Sequence, residues 1–374
     1  MAKTDSPYIF HGADVSYFSG KVRPAFPHKG LWFREIMPDI LEIKRRTGLN
    51  YFPAVETPDG EFWQDTSDIL DQLEAAHPSP PLFPTSPVQR VVAYLIELYG
   101  DEIGILPAMH YRWSFEESVN KVSVDFSTPT RNQAGGRKFA GKMAGALPFL
   151  GVHPETIPAI EAHTRELLDR LCTHFAEHRY LLGDALSLAD CGLMGPFYGH
   201  LYRDAVPERL LYETAFHVCA WIERVNRPSR DQTGWFADDT LAETLLPVLQ
   251  TMADGVPMLL ASARATEARV EAQAETANEN ENRGGLGVEG GVEMVESNYR
   301  DITLSSGARP YTYWMMQRAL DAYAELDTAS RERVDSALAG TGWEELLAFQ
   351  PRHRLAKQNY QLVWDSVAPR EETS

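Results

Sequence analysis

Residues 51–66, with the sequence YFPAVETPDGEFWQDT, predict two short β-strands joined by a tight turn and followed by a helix. Residues 51–56 and 61–63 are rich in aromatic and β-branched side chains, which favour strands. Between them the Pro-Asp-Gly sequence at 58–60 is typical of a hairpin turn, so we expect the two strands to be antiparallel. Asp65 then opens a helix that has one apolar face.

The segment before this hairpin alternates strand and helix patterns. Residues 8–11 and 31–36 are short runs of strand character. Helical spacing of apolar residues is found over 19–29 and 39–47, and each of these segments is followed by a glycine that suits a helix C-cap. The order β-α-β-α-β-β-α predicts an α+β domain with a mixed four-stranded sheet, which we assign to residues 1–80.

A proline-rich segment separates this domain from the rest of the chain. Residues 78–88 contain five prolines, which predicts a stiff linker and a domain boundary. Residues 88–260 carry apolar side chains at helical spacing with few strand signals. They are therefore expected to form an all-α helical-bundle domain.

Residues 261–374 predict a flexible segment and a helical extension of unknown role. Residues 265–282 are rich in Ala, Glu, Gln and Asn and are followed by glycine pairs, which favours a frayed helix that runs into a flexible loop. Helical patterns return at 313–326. Asp327 is expected to cap a last helix, which Gly340 ends.

The bulk composition limits the partners and the location. The chain has 374 residues and a formal net charge of −18, which repels polyphosphate and makes nucleic acid an unexpected partner. Cys172, Cys191 and Cys219 suit neither a zinc site nor a disulfide framework, so no metal is predicted. No uninterrupted apolar run approaches the ~20 residues that span a bilayer, and no signal-peptide pattern is found. We therefore expect a cytoplasmic protein that does not bind membranes.

Three features of the first domain together indicate a function. Phe52-Pro53 begins a strand, where a cis peptide bond turns the backbone of Phe52 towards an extended peptide. Asp65 suits an ammonium group, and Thr66 with the free N–H groups of the helix start suits a carboxylate. Residues 16–19, Ser-Tyr-Phe-Ser, precede a helix at a place where a hydroxyl donor stabilises a thiolate. Taken singly, each feature is equally an edge proline or a helix cap.

These residues, in this order, resemble the glutathione transferase family. The resemblance implies a thioredoxin-like first domain, in which Phe52-Pro53 matches the cis-proline motif that pairs with the cysteinyl backbone of glutathione. Asp65-Thr66 matches the acid–hydroxyl pair that binds the γ-glutamyl group. Ser16 falls where the serine-type members place their catalytic hydroxyl. Because Tyr17 replaces the proline usual there, Tyr17 and Ser19 stay alternatives to Ser16. A homodimer is also implied.

The second domain supports the resemblance. Residues 180–190, YLLGDALSLAD, are similar to the family segment before a central buried helix, and Ser187 with Asp190 predicts a capping box at its start. Trp221 and Arg224 match a further family pattern. The likeness extends over roughly residues 8 to 230.

The activity implied is that of a detoxifying glutathione transferase, or of a related glutathione-dependent lyase or isomerase. Glutathione is then a co-substrate whose activated thiolate attacks a small electrophile between the domains. Tyr111, Arg112 and Trp113 are candidates for binding that electrophile, with Arg112 able to bind a carboxylate. Core packing or an ion pair with another acid is the alternative for these residues. A non-catalytic relative used for binding or assembly is the alternative function.

Overall fold

The first domain is built on a four-stranded mixed sheet. In the computed structural model, which describes residues 6–127, 133–229, 231–276 and 293–365, the strand order is β2-β1-β3-β4. The strands are β1 (Tyr8–His11), β2 (Phe33–Ile36), β3 (Ala54–Glu56) and β4 (Phe62–Gln64). Strand β1 pairs parallel with β2 and antiparallel with β3, and β3 pairs antiparallel with β4. The predicted α+β class and mixed sheet are confirmed.

Four helices accompany the sheet: α1 (Tyr17–Val22), α2 (Ala25–His28), α3 (Ile40–Thr47) and α4 (Thr66–Ala76). The single helix expected over 19–29 is two helices, because Pro24 lacks the N–H that would continue the first one. Helix α3 agrees with the prediction. Asp39 caps it by accepting from the amides of the first turn, and Gly48 ends it at a φ of 75°.

The middle of the chain is almost entirely helical over its described residues. Its helices are α5 (Pro87–Leu98), α6 (Ile105–Trp113), α7 (Glu116–Ser127), α8 (Gln133–Ala144), α9 (Leu147–Leu150), α10 (Ile157–Glu177), α11 (Leu188–Pro196), α12 (Ala205–Thr214), α13 (Phe216–Asn226), α14 (Leu245–Met252) and α15 (Val256–Thr276). Short π-helical turns over Tyr99–Ile103 and Phe197–Leu201 follow α5 and α11.

Helix α11 lies at the centre of this bundle, and all of its residues are buried. Its start is the predicted capping box, in which Asp190 accepts from the Ser187 amide over 3.0 Å. The same carboxylate accepts from the indole N–H of Trp221 over 2.9 Å. Asp190 therefore fixes the start of α11 and joins it to α13.

The extension contains two hairpins as well as helices. Its elements are β5 (Met294–Tyr299), β6 (Ile302–Gly307), α16 (Pro310–Ala324), α17 (Thr328–Leu338), α18 (Glu344–Leu347), β7 (Leu355–Gln358) and β8 (Gln361–Trp364). Helices α16 and α17 agree with the predicted ones, and Asp327 caps α17. The two hairpins, β5–β6 and β7–β8, were not predicted. The predicted flexible loop over the glycine pairs lies outside the described residues.

Helix α16 joins the extension to both preceding domains. Arg318 on α16 lies 2.6 Å from Asp71 on α4 and 3.3 Å from Glu97 on α5. Glu97 in turn lies 2.8 Å from the ammonium of Lys21, which is also 2.6 Å from Asp101. Burial opposes a charge on Lys21, but Asp101 and Glu97 outweigh it and raise its pKa. This buried ionic network fixes the relative position of the three parts.

One helical run, over residues 245–272, is long and apolar enough to cross a membrane by length and composition. Asp254 and Arg264 lie within it, so it is not an uninterrupted apolar run. Within the protein, 67% of its apolar window is buried. Packing inside the fold therefore accounts for its composition, as in a core helix.

Candidate functional site

A cavity of about 230 Å³ opens beside the Phe52–Pro53 peptide bond, and we call it the cis-proline cavity. That bond is cis, as predicted. The cavity brings together all four residues that the sequence predicted for glutathione binding, and adds four that it did not assign. Its lining residues are Phe18, Tyr51, Phe52, Pro53, Gln64, Asp65, Thr66 and Tyr311.

Asp65 has an unusual backbone conformation at the edge of this cavity. Its φ is 80°, a region that costs a non-glycine residue about 1–3 kcal/mol and that is concentrated at functional sites. Its Oδ1 atom accepts from the amide of Ser67 over 3.0 Å, which caps helix α4. Thr66, the first residue of α4, is 4% exposed and lines the same cavity.

The extension also contacts Asp65. The hydroxyl of Tyr311 donates to Oδ2 of Asp65 over 2.8 Å, and the ammonium of Lys357 lies 3.1 Å from the same atom. Lys357 also lies 2.8 Å from Asp68 and 3.4 Å from the ring centre of Trp314. Neither Tyr311 nor Lys357 was among the residues that the sequence analysis predicted for the site.

A second cavity, of about 320 Å³, adjoins the first, and we call it the apolar cavity. Phe18 and Phe52 line both cavities, so the two are neighbours. The remaining lining residues are predominantly apolar and come from the loop before α1 and from helices of the second domain. They are Val15, Ser16, Tyr17, Ile105, Met109, Arg112, Trp113, Phe126, Phe139, Met143, Ala146, Leu150 and His200.

The three candidate hydroxyls occupy different surroundings. Ser16 lines the apolar cavity, and its Oγ accepts from the Ser19 amide over 3.2 Å, which leaves its own proton to donate. Ser19 is fully buried, and its Oγ accepts from the Ala13 amide. The hydroxyl of Tyr17 donates to the Gly100 carbonyl, and burial raises its pKa well above the usual value. Of the three, Ser16 is the one with a free donor at a cavity.

The candidate electrophile-binding residues separate in the structure. Trp113 lines the apolar cavity. Tyr111 is not among the residues described as lining either cavity. Its ring stacks on that of Phe115, with ring centres 5.8 Å apart. Burial raises the pKa of Tyr111 to about 12. Tyr111 is therefore a packing residue, which was the alternative stated for it.

Arg112 reaches the apolar cavity, and its guanidinium is paired with an acid of the protein, which was the alternative stated for it. The guanidinium lies 2.6 Å from Asp204 and donates to the Val15 carbonyl over 2.7 Å. It also lies 2.6 Å from Nε2 of His200. Burial and the charge of Arg112 lower the pKa of His200 well below its usual value, so this ring is a neutral acceptor. With its donors engaged, Arg112 holds the loop before Ser16 against the second domain.

The thiols of the chain lie away from both cavities. Cys191 and Cys219 are buried, and Cys172 is partly exposed. Burial raises the pKa of Cys219 to about 11, which keeps it protonated at neutral pH. Among the residues that the structure describes, no group of His, Cys, Asp and Glu side chains is arranged to hold a metal ion.

Comparison with known sequences identifies two domains. Residues 10–81 match the model of the glutathione S-transferase N-terminal domain, and residues 149–228 match that of the C-terminal domain. These matches identify an N-terminal and a C-terminal domain of the glutathione S-transferase type in the chain. The described strands and helices of the thioredoxin-like first domain and of the helical second domain agree with this assignment. A search among curated proteins found no significant match.

Solved structures of this transferase fold are distant in sequence. A glutathione S-transferase from Rhodospirillum rubrum F11 is 16% identical, with a TM-score of 0.42 over 64% of this chain and 97% of that one. The β-etherase LigF from Sphingobium sp. strain SYK-6 is 19% identical, with a TM-score of 0.43 over 60% and 96%. A transferase from Methylobacterium radiotolerans, complexed with glutathione sulfonate, is 21% identical, with a TM-score of 0.38 over 64% and 99%. Because these scores lie below 0.5, the assignment rests on the two domain models.

Proposed function

We propose that this protein binds glutathione in the cis-proline cavity and directs its thiolate at an electrophile in the apolar cavity. The observation that carries the proposal is that Phe18 and Phe52 line both cavities. A molecule extending from one cavity therefore meets a molecule bound in the other. Ser16 lies on the wall of the second, beside these shared residues.

The binding roles follow from the groups that the first cavity offers. The backbone of Phe52 is the partner for the cysteinyl backbone of glutathione, and Thr66 is the partner for its γ-glutamyl carboxylate. The carboxylate of Asp65 suits the ammonium of the same γ-glutamyl group. The support for these roles is that the three residues line one cavity.

The chemistry proposed for Ser16 is hydrogen-bond donation to a thiolate. A free thiol has a pKa near ~8.5, so little glutathione is thiolate at neutral pH. Donation from the Ser16 hydroxyl favours the thiolate, whose proton passes to solvent. A carbon–sulfur bond then forms with the electrophile. Either a leaving group departs with its electron pair, or the thiolate adds across a double bond.

The walls of the second cavity favour an uncharged, largely apolar electrophile. Most of its lining residues are aromatic or aliphatic, and the charge of Arg112 is paired with Asp204. A charged substrate group buried there would lose hydration without gaining a partner. On the family resemblance we also propose a cytoplasmic homodimer with a detoxifying role. Sedimentation of the purified chain tests the dimer.

A non-catalytic binding protein is the second candidate function. The observation that favours it is the contact of Tyr311 and Lys357 with Asp65. These two side chains bind the carboxylate that is proposed to bind the ammonium of glutathione. A chain that keeps the fold for binding or assembly and turns over no electrophile with glutathione would fit this alternative.

Calorimetric titration with glutathione and turnover of an uncharged aryl halide test the proposal together. We expect saturable binding, glutathione-dependent turnover, and loss of binding in an Asp65→Asn variant. Asp59→Asn, at an exposed position of the neighbouring turn, is the matched control and should bind like the parent. Absence of glutathione binding would contradict the enzymatic function and favour the non-catalytic one, and so would binding without turnover of any electrophile.

A further inference from the structure

The terminal hairpin β7–β8 places a primary ammonium group on the acid proposed to bind the ammonium of glutathione. The ammonium of Lys357 lies 3.1 Å from Oδ2 of Asp65, and both side chains are 14% exposed. Lysine and the γ-glutamyl group present the same chemical group to a carboxylate. This inference rests on the proposed function. In that function, the ammonium of Lys357 lies where the γ-glutamyl ammonium of glutathione would bind.

Both carboxylate oxygens of Asp65 already have partners. A carboxylate offers about four lone-pair positions. The amides of Ser67 and Asp68 reach Oδ1 over 3.0 and 3.4 Å. Tyr311 and Lys357 reach Oδ2 over 2.8 and 3.1 Å. A ligand ammonium that approaches Oδ2 therefore competes with the ammonium of Lys357 for the same atom.

Lys357 has other partners within reach when it leaves Asp65. Its ammonium already lies 2.8 Å from Asp68 and 3.4 Å from the ring centre of Trp314. A carboxylate and an aromatic face both stabilise a cation. A small displacement therefore frees Asp65 without leaving the lysine charge unpaired.

The hairpin contacts helix α16 at its base and strand β4 at its tip. At the base, Leu355 exchanges two hydrogen bonds with the side chain of Gln317, over 2.7 and 3.0 Å. Trp364 is 5% exposed and packs on Tyr313. At the tip, the hydroxyl of Tyr360 donates to the Phe62 carbonyl over 2.7 Å. These contacts do not involve Lys357, so a shift of its side chain leaves them intact.

We propose that the β7–β8 hairpin is a built-in competitor, in which Lys357 holds Asp65 until the ammonium of glutathione displaces it. The hairpin thereby sets how tightly the site binds ligands that carry an ammonium group. Ligands without that group do not compete with Lys357 for Asp65.

Calorimetric titration of the full chain and of a Lys357→Met variant tests the competition. Methionine keeps an unbranched stem against Trp314 but removes the charge. We expect glutathione to bind about tenfold more tightly, which corresponds to a parent chain with roughly one tenth of its sites free of Lys357. A deaminated glutathione analogue should bind both chains equally. Gln358→Ala, at the exposed next position of the strand, is the control and should resemble the parent.

The outcomes separate the competition from the proposed function. Glutathione binding that is unchanged or weaker in Lys357→Met overturns the competition and leaves glutathione binding intact. An equal gain for the deaminated analogue overturns it too, because the gain would then not concern the ammonium. Failure of the parent, of Lys357→Met and of Lys357→Gln to bind any glutathione overturns both proposals. If Lys357→Met or Lys357→Gln binds glutathione and the parent does not, the result supports both the competition and the proposed function.

Discussion

The backbone amide of Ser19 donates to Oγ of Ser16 over 3.2 Å, within the first turn of α1. This contact uses an acceptor position of the Ser16 hydroxyl and leaves its proton free. It also orients the hydroxyl on the wall of the apolar cavity. The cap of the helix and the proposed thiolate donor are thus the same atom.

We expect Ser16→Ala to lower kcat/KM for an aryl halide by about 100-fold, the usual effect of losing one stabilising donor. The pKa of bound glutathione should rise towards the free value of ~8.5, because its thiolate loses a hydrogen bond. Thiolate absorbance as a function of pH measures this directly. Unchanged turnover would exclude Ser16 as the donor while leaving the rest of the site intact.

Tyr17→Phe and Ser19→Ala should instead affect stability. Each removes a buried hydrogen bond, to the Gly100 carbonyl and from the Ala13 amide respectively. We expect each to lower the free energy of unfolding by about 1–2 kcal/mol and to leave the pKa of bound glutathione near that of the parent. Urea unfolding and thiolate absorbance separate the two effects. A raised thiol pKa in either variant would identify that hydroxyl as the donor.

Electrophile charge should decide turnover. For two aryl halides that differ only in a carboxylate, we expect kcat/KM to be at least about tenfold higher for the uncharged one, because burial of an unpaired charge is costly. Steady-state rates at fixed glutathione concentration give the ratio. Equal rates would mean that Arg112 leaves Asp204 to bind the substrate.

Lys21→Met should destabilise the interface between the first and second domains. It leaves Asp101 and part of Glu97 as buried carboxylates without their cation, which typically costs about 3–5 kcal/mol. Arg209→Met, which breaks an ion pair with Glu117 whose side chains are more than half exposed, is the control and should change stability by less than about 1 kcal/mol. Comparable losses in the two variants, measured by urea unfolding, would contradict the role of the buried network.

His174 should make the protein less stable in acid. Burial, and then the charge of His178, lower the pKa of His174 to about 4. In the unfolded chain the His174 ring binds a proton below about pH 6.5, whereas in the folded chain it does so only below about pH 4. The free energy of unfolding therefore falls as the pH is lowered through that range. We expect a contribution of about 2 kcal/mol between pH 7 and pH 5.

Replacement of this histidine isolates its contribution. His174→Gln should lose that part of the pH dependence, and His217→Gln, at an exposed position, should keep it. Identical pH profiles for the parent and His174→Gln, followed by urea unfolding, would contradict the assignment.

Features that depend on neighbouring residues could be predicted from the sequence. The Pro-Asp-Gly turn, the C-cap at Gly48, the cap at Asp327 and the Ser187–Asp190 box are local signals, and the structure contains each of them. The mixed sheet followed from the order of such segments. Phe52-Pro53 and Asp65-Thr66 meet in one cavity because β3, β4 and α4 are consecutive.

Features that depend on distant residues could not be predicted. The partner of Arg112 is Asp204 on a different part of the bundle, which no local pattern reveals. The β7–β8 turn is Asn359-Tyr360, with positive φ at both residues, and lacks the glycine that usually marks such a turn. Its strand residues are mixed rather than alternating, so Lys357 had no pattern to identify it.

The contact between Tyr311 and Asp65 joins residues 246 positions apart. A ribosome makes the chain in one direction at about 5–20 residues per second, so a nascent chain can complete its first domain well before the far wall of the cavity exists. Asp65 then passes through a period without its later partners.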